Sequence, residues 1–273
     1  MYNSIWLIYL LTCPSVKSLS ILLPLWSWPT ENWASVFAAI EASNTTTWQV
    51  IINPNSGPDT IEDHPSKLDY VNGLAQLSSH PNVIITGYAR TQYTQIPIET
   101  VKAQVNTYAS WNTYQSAKLR VDGIFFDEVS GKDAGTPEVL QYYSDLSTHV
   151  KSQFPGSATK SVIFNPGALG PVQLFDVCDT MIEFEGWAKE YNDVATIATF
   201  PSDKLGKVGI WIYNSEALGI SIESAVNTMA AAGVGTVFFD YGYCGGSEGK
   251  PTGCYKTFEE DKLRTLAAAV VAH

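Results

Sequence analysis

Short, continuous apolar runs alternate along this chain with stretches in which apolar residues return every three or four positions. The runs fall at 20–28 (SILLPLWSW), 47–55 (TWQVIINPN), 82–90 (NVIITGYAR), 121–130 (VDGIFFDEVS), 161–167, 180–186, 208–214 and 236–242. Unbroken apolar runs of this length suit strands buried on both faces, as in a parallel sheet covered by helices. Helical stretches are predicted at 31–42, 69–79, 98–111 and 137–154, with further helical segments at 172–178, 194–199, 222–232 and 258–272. Thr30 is placed to cap the first of these, and Pro97 to open the third. Tyr70, Leu74 and Leu77 share one face of the second. Eight strand-then-helix units with short connections predict an α/β fold, a single (β/α)8 TIM barrel over residues 19–273. A doubly wound open sheet is the alternative, but no GxGxxG follows the first strand.

In such a barrel the carboxyl ends of the strands face the substrate. The polar residues follow that rule. Trp26 closes the first run, Asn53 the second, Tyr88 and Arg90 the third, and Asp127 and Glu128 the fourth. Asn165, Glu185, Tyr213 and the pair Asp240 and Tyr241 close the remaining four. Adjacent acids at 127 and 128, with a third at 185, are the residue types needed for acid/base or nucleophilic work on a glycosidic bond. One acid must be held protonated while another stays ionised, and mutual repulsion in one mouth supplies that difference. Adjacent residues of a regular strand point to opposite faces, so either Asp127 or Glu128 faces the mouth unless the strand curls. By the same alternation Glu183 shares the face of Glu185, one step deeper, as a structural acid with satisfied hydrogen bonds.

Composition narrows the function further. The net charge is −11 and no Lys/Arg cluster occurs, which argues against nucleic-acid or anionic-membrane partners. With only 16% charged residues against 45% apolar, the chain can fill a large core. Its Trp and Tyr residues offer faces for sugar rings. No Cys/His spacing fits a metal site and no nucleotide fingerprint occurs, so no metal or cofactor is expected. The four histidines lie away from strand ends, and without a GxSxG elbow a Ser-His-Asp hydrolase is disfavoured. Cys244 and Cys254 flank a Gly-rich loop they could close as a disulfide, and Cys178 reads as a buried thiol. Residues 1–18 hold an apolar core at 5–11 that resembles a secretory signal segment, lacks a basic start, and is too short to span a bilayer. Asn44 begins an Asn-Thr-Thr glycosylation sequon. Both features fit a secreted or cell-surface protein, expected as a monomer.

The segments LLPLWSWP, VIINPNSGP, DYVNGLAQLSSHPNVIITGYARTQY, VDGIFFDEVS and MIEFEG together resemble the spherulin-4 family, from about residue 20 to the chain end. This glycoside hydrolase group includes fungal galactosaminogalactan hydrolases. The resemblance implies a (β/α)8 barrel that hydrolyses α-1,4-linked N-acetylgalactosamine stretches within a fungal exopolysaccharide. It places the family's acidic triad on Asp127, Glu128 and Glu185. Glu183 departs from the family pattern, which has an apolar residue there. Asp127 and Glu185 are expected to face each other as the catalytic pair, with Glu128 tuning them or serving as the acid. Trp26, Tyr88, Trp187, Tyr213 and Tyr241 would line the sugar subsites, and Asn53, Asn165 and Asp240 would bind hydroxyls or the acetamide. Retention, inversion and attack by the substrate's own acetamide all remain open. A non-catalytic carbohydrate-binding protein or a spore- or cyst-coat protein on the same barrel is the alternative.

Overall fold

The computed structural model describes residues 18–59, 65–241 and 258–272. Eight parallel strands close into a barrel in chain order: β1 (Ser20–Leu25), β2 (Trp48–Ile52), β3 (Val83–Arg90), β4 (Gly123–Asp127), β5 (Ser161–Asn165), β6 (Thr180–Trp187), β7 (Val208–Tyr213) and β8 (Thr236–Phe239). The ring is sealed where Ser20 and Ile21 pair with Thr236 and Val237. Around it lie α1 (Pro29–Ala42), α2 (Pro65–Ser79), α3 (Ile98–Trp111), α4 (Pro137–Gln153), α5 (Asp193–Ile197), α6 (Ile222–Ala232) and α7 (Glu260–Val271). The single (β/α)8 barrel expected from the sequence is the observed fold. No helix among the described residues is long and apolar enough to cross a membrane.

The continuous apolar runs are explained by burial on both sides. Every residue of β1, β2, β5, β7 and β8 is buried. Outward side chains pack against helical stripes such as Trp33, Val36 and Ile40 of α1 and Val101, Val105 and Tyr108 of α3, all fully buried. Tyr70, Leu74 and Leu77 of α2 are buried as their spacing requires. Inside, aromatic rings fill the barrel. Phe125 stacks on Tyr88 at 6.1 Å and meets Trp211 edge-on at 6.4 Å, and Trp211 meets Phe238 at 5.7 Å. These rings form an apolar floor beneath the carboxyl ends of the strands.

Three details differ from the sequence reading. Helix α1 starts two residues earlier than a Thr30 cap would allow: Trp28 is its N-cap and Pro29 its first residue. Pro29 has no N–H to lose there, and Glu31 Oε2 accepts the Trp28 N–H at 3.3 Å. The fifth and sixth units lack full helices. A 3₁₀ helix, Val172–Asp176, follows β5, and only the five-residue α5 follows β6.

Polar groups also occur at the strand starts, where they are buried and bonded. Ser20 Oγ donates to Gly235 O at 3.0 Å and accepts from Gln49 Nε2 at 2.9 Å, while Thr236 Oγ1 donates to Ser20 O at 3.0 Å. Asp122 accepts the Ile85 N–H at 2.9 Å and pairs with Arg120 at 3.1 Å. The two ends therefore differ in what the polar groups face: structure below, open cleft above. Between Asp122 and the apolar part of β4, Gly123 is required by space, since a Cβ there would lie 1.9 Å from the Ser161 carbonyl oxygen.

Candidate active site

Two backbone irregularities aim the acids. In β4, Asp127 lies on the inward face with Phe125, and its register partners are Arg90 and Asn165. Glu128 follows with φ +52°, a left-handed conformation that carries a cost for a residue with a Cβ. The chain therefore turns at the strand end, and both acids line one cleft of about 380 Å³ with Glu185. The choice between Asp127 and Glu128 is resolved by this curl: Asp127 points inward from the strand, and Glu128 reaches the same mouth from beyond it.

The second irregularity is a bulge in β6. Ile182 pairs with Gly209 and Phe184 with Ile210, leaving Glu183 as an extra residue. One extra residue reverses the inward and outward faces downstream. Ile182 meets the inward Gly209 position, whereas Glu185 pairs with the inward-facing Trp211. Glu183 therefore does not share the face of Glu185. It turns outward, is 4% exposed, and accepts the Gly170 N–H at 3.0 Å. Without the bulge, Glu185 would point away from the barrel mouth.

Asn165 joins the two central acids. Its Nδ2 donates to Asp127 Oδ1 at 3.0 Å and to Glu185 Oε2 at 2.7 Å. Tyr88 O–H donates to Asp127 Oδ2 at 2.8 Å, and Tyr213 O–H donates to Glu185 Oε1. Arg90 Nε pairs with Glu128 Oε2 at 2.7 Å, holding the third acid as an ion pair at the rim. Desolvation raises the Asp127 carboxyl above its ordinary value, opposed by the Tyr88 and Asn165 hydrogen bonds. Burial and the neighbouring Asp127 charge push Glu185 further, to about 7, despite the bonds from Tyr213 and Asn165. Burial and the Asp127 charge thus hold the Glu185 proton up to near neutrality.

The other sequence-predicted residues divide into three groups. Trp187 and Tyr213 line the cleft, their rings 5.7 Å apart. Trp26 and Tyr88 lie below, 5.6 Å apart edge-on; Tyr88 is 7% exposed and acts as a support for Asp127 rather than as an open platform. Asn53, Asp240 and Tyr241 do not line the acid cleft. Asn53 Oδ1 accepts the Gly57 N–H at 2.9 Å and shapes the turn after β2. Asp240 is buried, its carbonyl holding the Ser215 N–H at 3.0 Å. Tyr241 turns outward, with Lys262 Nζ 5.4 Å from its ring centre. Asn44 is exposed after α1. Cys178 is buried, and desolvation pushes its thiol up to about 12. Cys244, Cys254 and the signal-like segment 1–17 lie outside the described residues.

Tyr93, Gly167 and Glu190 also line the cleft, and none was singled out by the strand-end rule. Tyr93 lies three residues past the end of β3, so a rule extended to the following loop would have reached it.

The model of spherulation-specific family 4 matches residues 20–270, nearly the whole barrel. The chain belongs to this family. Spherulin-4 of Physarum polycephalum is 31% identical over 175 residues, covering 64% of this chain and 47% of that protein. The chain thus spans about half the length of this curated relative. Among solved structures, Aspergillus clavatus Sph3 in complex with GalNAc superposes with a TM-score of 0.80 at 22% identity, over 93% of this chain and 98% of Sph3. An endo-1,4-beta-mannanase from Eisenia fetida follows the same barrel with a TM-score of 0.54 at 11% identity, covering 92% and 91% of the two chains. Such low identities describe a shared fold, and the spherulation-specific family membership rests on the sequence match.

Proposed function

We propose that this chain is a secreted endo-glycoside hydrolase that cleaves α-1,4-linked N-acetylgalactosamine stretches of a fungal exopolysaccharide. The observation that carries the reading is the Asp127–Asn165–Glu185 bridge, in which one amide nitrogen holds two carboxylates of unequal proton affinity. The GalNAc bound to Sph3, a structural relative, supports the sugar class.

Oxygens bonded to the two hydrogens of a single NH2 group sit roughly 5 Å apart, the spacing of retaining enzymes rather than the ~6.5–9.5 Å of inverting ones. In the first step Glu185 gives its proton to the glycosidic oxygen as the C1–O bond breaks. Asp127 attacks C1 from the opposite face and forms an ester with the sugar. In the second step Glu185, now ionised, takes a proton from water, whose oxygen displaces Asp127 from C1. Both acids return to their starting states. Attack by the substrate's own acetamide is disfavoured by stereochemistry: in an α-galactosaminide the C2 acetamido group lies on the same face as the leaving oxygen. Glu128, paired with Arg90 at the rim, would orient sugar hydroxyls.

The test is incubation with partially purified galactosaminogalactan and with pure α-1,4-linked N-acetylgalactosamine oligosaccharides, followed by mass analysis. Internal cleavage to shorter N-acetylgalactosamine oligomers is expected. Binding without release of any product would favour a carbohydrate-binding protein instead.

A further inference from the structure

Tyr93 stands where three unusual features meet. Gln92, Tyr93 and Thr94 have φ of +49°, +55° and +71°, a run of three left-handed residues without a glycine. Each carries a steric cost that glycine would avoid, and such strain persists only where surrounding contacts enforce it. Those contacts lead directly to the acids. Tyr93 N–H donates to the Glu128 carbonyl at 2.7 Å, and Thr91 Oγ1 lies 3.0 and 2.8 Å from the carbonyls of Asp127 and Glu128. Thr91 is itself fully buried and meets the Tyr143 hydroxyl at 3.2 Å. The strained loop is therefore tied to the same backbone that curls to present the two acids.

At the tip of this loop the Tyr93 side chain is 52% exposed, yet it lines the cleft with Asp127, Glu128 and Glu185. Its phenol is raised above its ordinary value by partial desolvation and then by the charges of Glu128 and Asp127, consistent with a ring leaning over the acids. Trp187 lines the same cleft from the end of β6, whereas Tyr93 follows β3. Around the ring the acids of β4 lie between these two strand positions, and Glu185 precedes Trp187 on β6.

We infer that Tyr93 is a second aromatic platform, binding the pyranose ring of an amino-sugar polymer on the side of the acid pair opposite Trp187. The inference rests on the hydrolase reading and deepens it: a chain seated across the cleft would run from the β3 side to the β6–β7 side, with its scissile bond over Asp127 and Glu185. An aromatic face laid against the C–H face of a sugar excludes water without spending a hydrogen bond, so it fixes position while leaving the reacting groups free. The left-handed run fixes the ring before substrate arrives, which reduces the ordering cost of binding.

Binding of α-1,4-linked N-acetylgalactosamine oligosaccharides, measured by calorimetry in an inactive Asp127→Asn background, tests this directly. Tyr93→Ala is expected to weaken binding about tenfold, corresponding to about 1.4 kcal/mol. Tyr93→Phe and Tyr93→Trp should retain most of the affinity. In the active protein Tyr93→Ala should raise KM by a similar factor with a much smaller change in kcat, and leave Tm within a degree because the ring is exposed. Equal binding by Tyr93→Ala and its parent would overturn the platform while leaving the hydrolase reading intact. Tyr93→Phe as weak as Tyr93→Ala would overturn stacking, since the hydroxyl would then carry the contact. No oligosaccharide binding by any of these proteins, with no cleavage by the wild type, would remove the hydrolase reading and the platform together.

Discussion

Replacing Glu183 with glutamine should stabilise the protein at neutral pH, and the size of the gain follows from where the bulge places that side chain. Glu183 is 4% exposed and accepts a hydrogen bond from the Gly170 N–H at 3.0 Å. Burial pushes its carboxyl from 4.5 to about 7, only partly opposed by that bond. The folded protein therefore holds the proton more tightly than the unfolded chain does. The stability associated with this proton is fully present below pH 4.5 and is lost as pH rises through about 7. At 1.36 kcal/mol per pH unit, the interval amounts to about 3 kcal/mol. Glutamine keeps an oxygen for Gly170 and cannot ionise. Urea unfolding at pH 4, 5.5, 7 and 8 should show nearly equal stability at pH 4. A gap favouring Glu183→Gln should then widen to about 3 kcal/mol at pH 8. Glu185 titrates in both proteins, so the difference isolates Glu183. A pH-independent difference, or a wild type more stable than the variant at pH 8, would show that burial of Glu183 does not hold its proton in the folded state.

Other outcomes follow from the acid pair. In the proposed mechanism Glu185 must be protonated, so kcat/KM should fall as pH rises through about 7. The Tyr213 hydroxyl favours the ionised form of Glu185; Tyr213→Phe should therefore move that alkaline limb to higher pH, and a shift to lower pH would contradict the assigned role. Proton NMR of the first products should show the α anomer, because the roughly 5 Å carboxylate spacing fits retention; β product would require a different water path.

The barrel was legible because its strands are buried on both faces and leave continuous apolar runs. Helices α3 and α6 match the predicted spans 98–111 and 222–232 residue for residue. The positions of Asp127 and Glu185 at strand mouths were legible for the same reason: a polar residue ending an apolar run marks a strand mouth. What pattern alone could not provide was local backbone geometry. In Ile182-Glu183-Phe184-Glu185 the alternation is regular, and nothing in it marks the bulge that sets Glu183 and Glu185 on opposite faces. The left-handed conformation of Glu128, and of Gln92, Tyr93 and Thr94, occurs without the glycines that usually announce it. Asn53 and Tyr241 satisfied the strand-end rule, but one is used by its own turn and the other packs towards α7. Proximity to a strand mouth is necessary for a site residue; direction is decided by hydrogen bonds that a periodicity does not encode.

In the proposed mechanism Asp127 and Glu185 act as one catalytic pair. The most direct measurement is turnover of an α-1,4-linked N-acetylgalactosamine oligosaccharide by the wild type, Asp127→Asn and Glu185→Gln, each verified as folded by its unfolding transition. The wild type should cleave internally, and each variant should lose at least about a thousandfold in kcat while still binding the oligosaccharide. Wild-type rates in either folded variant would exclude that residue from the catalytic pair.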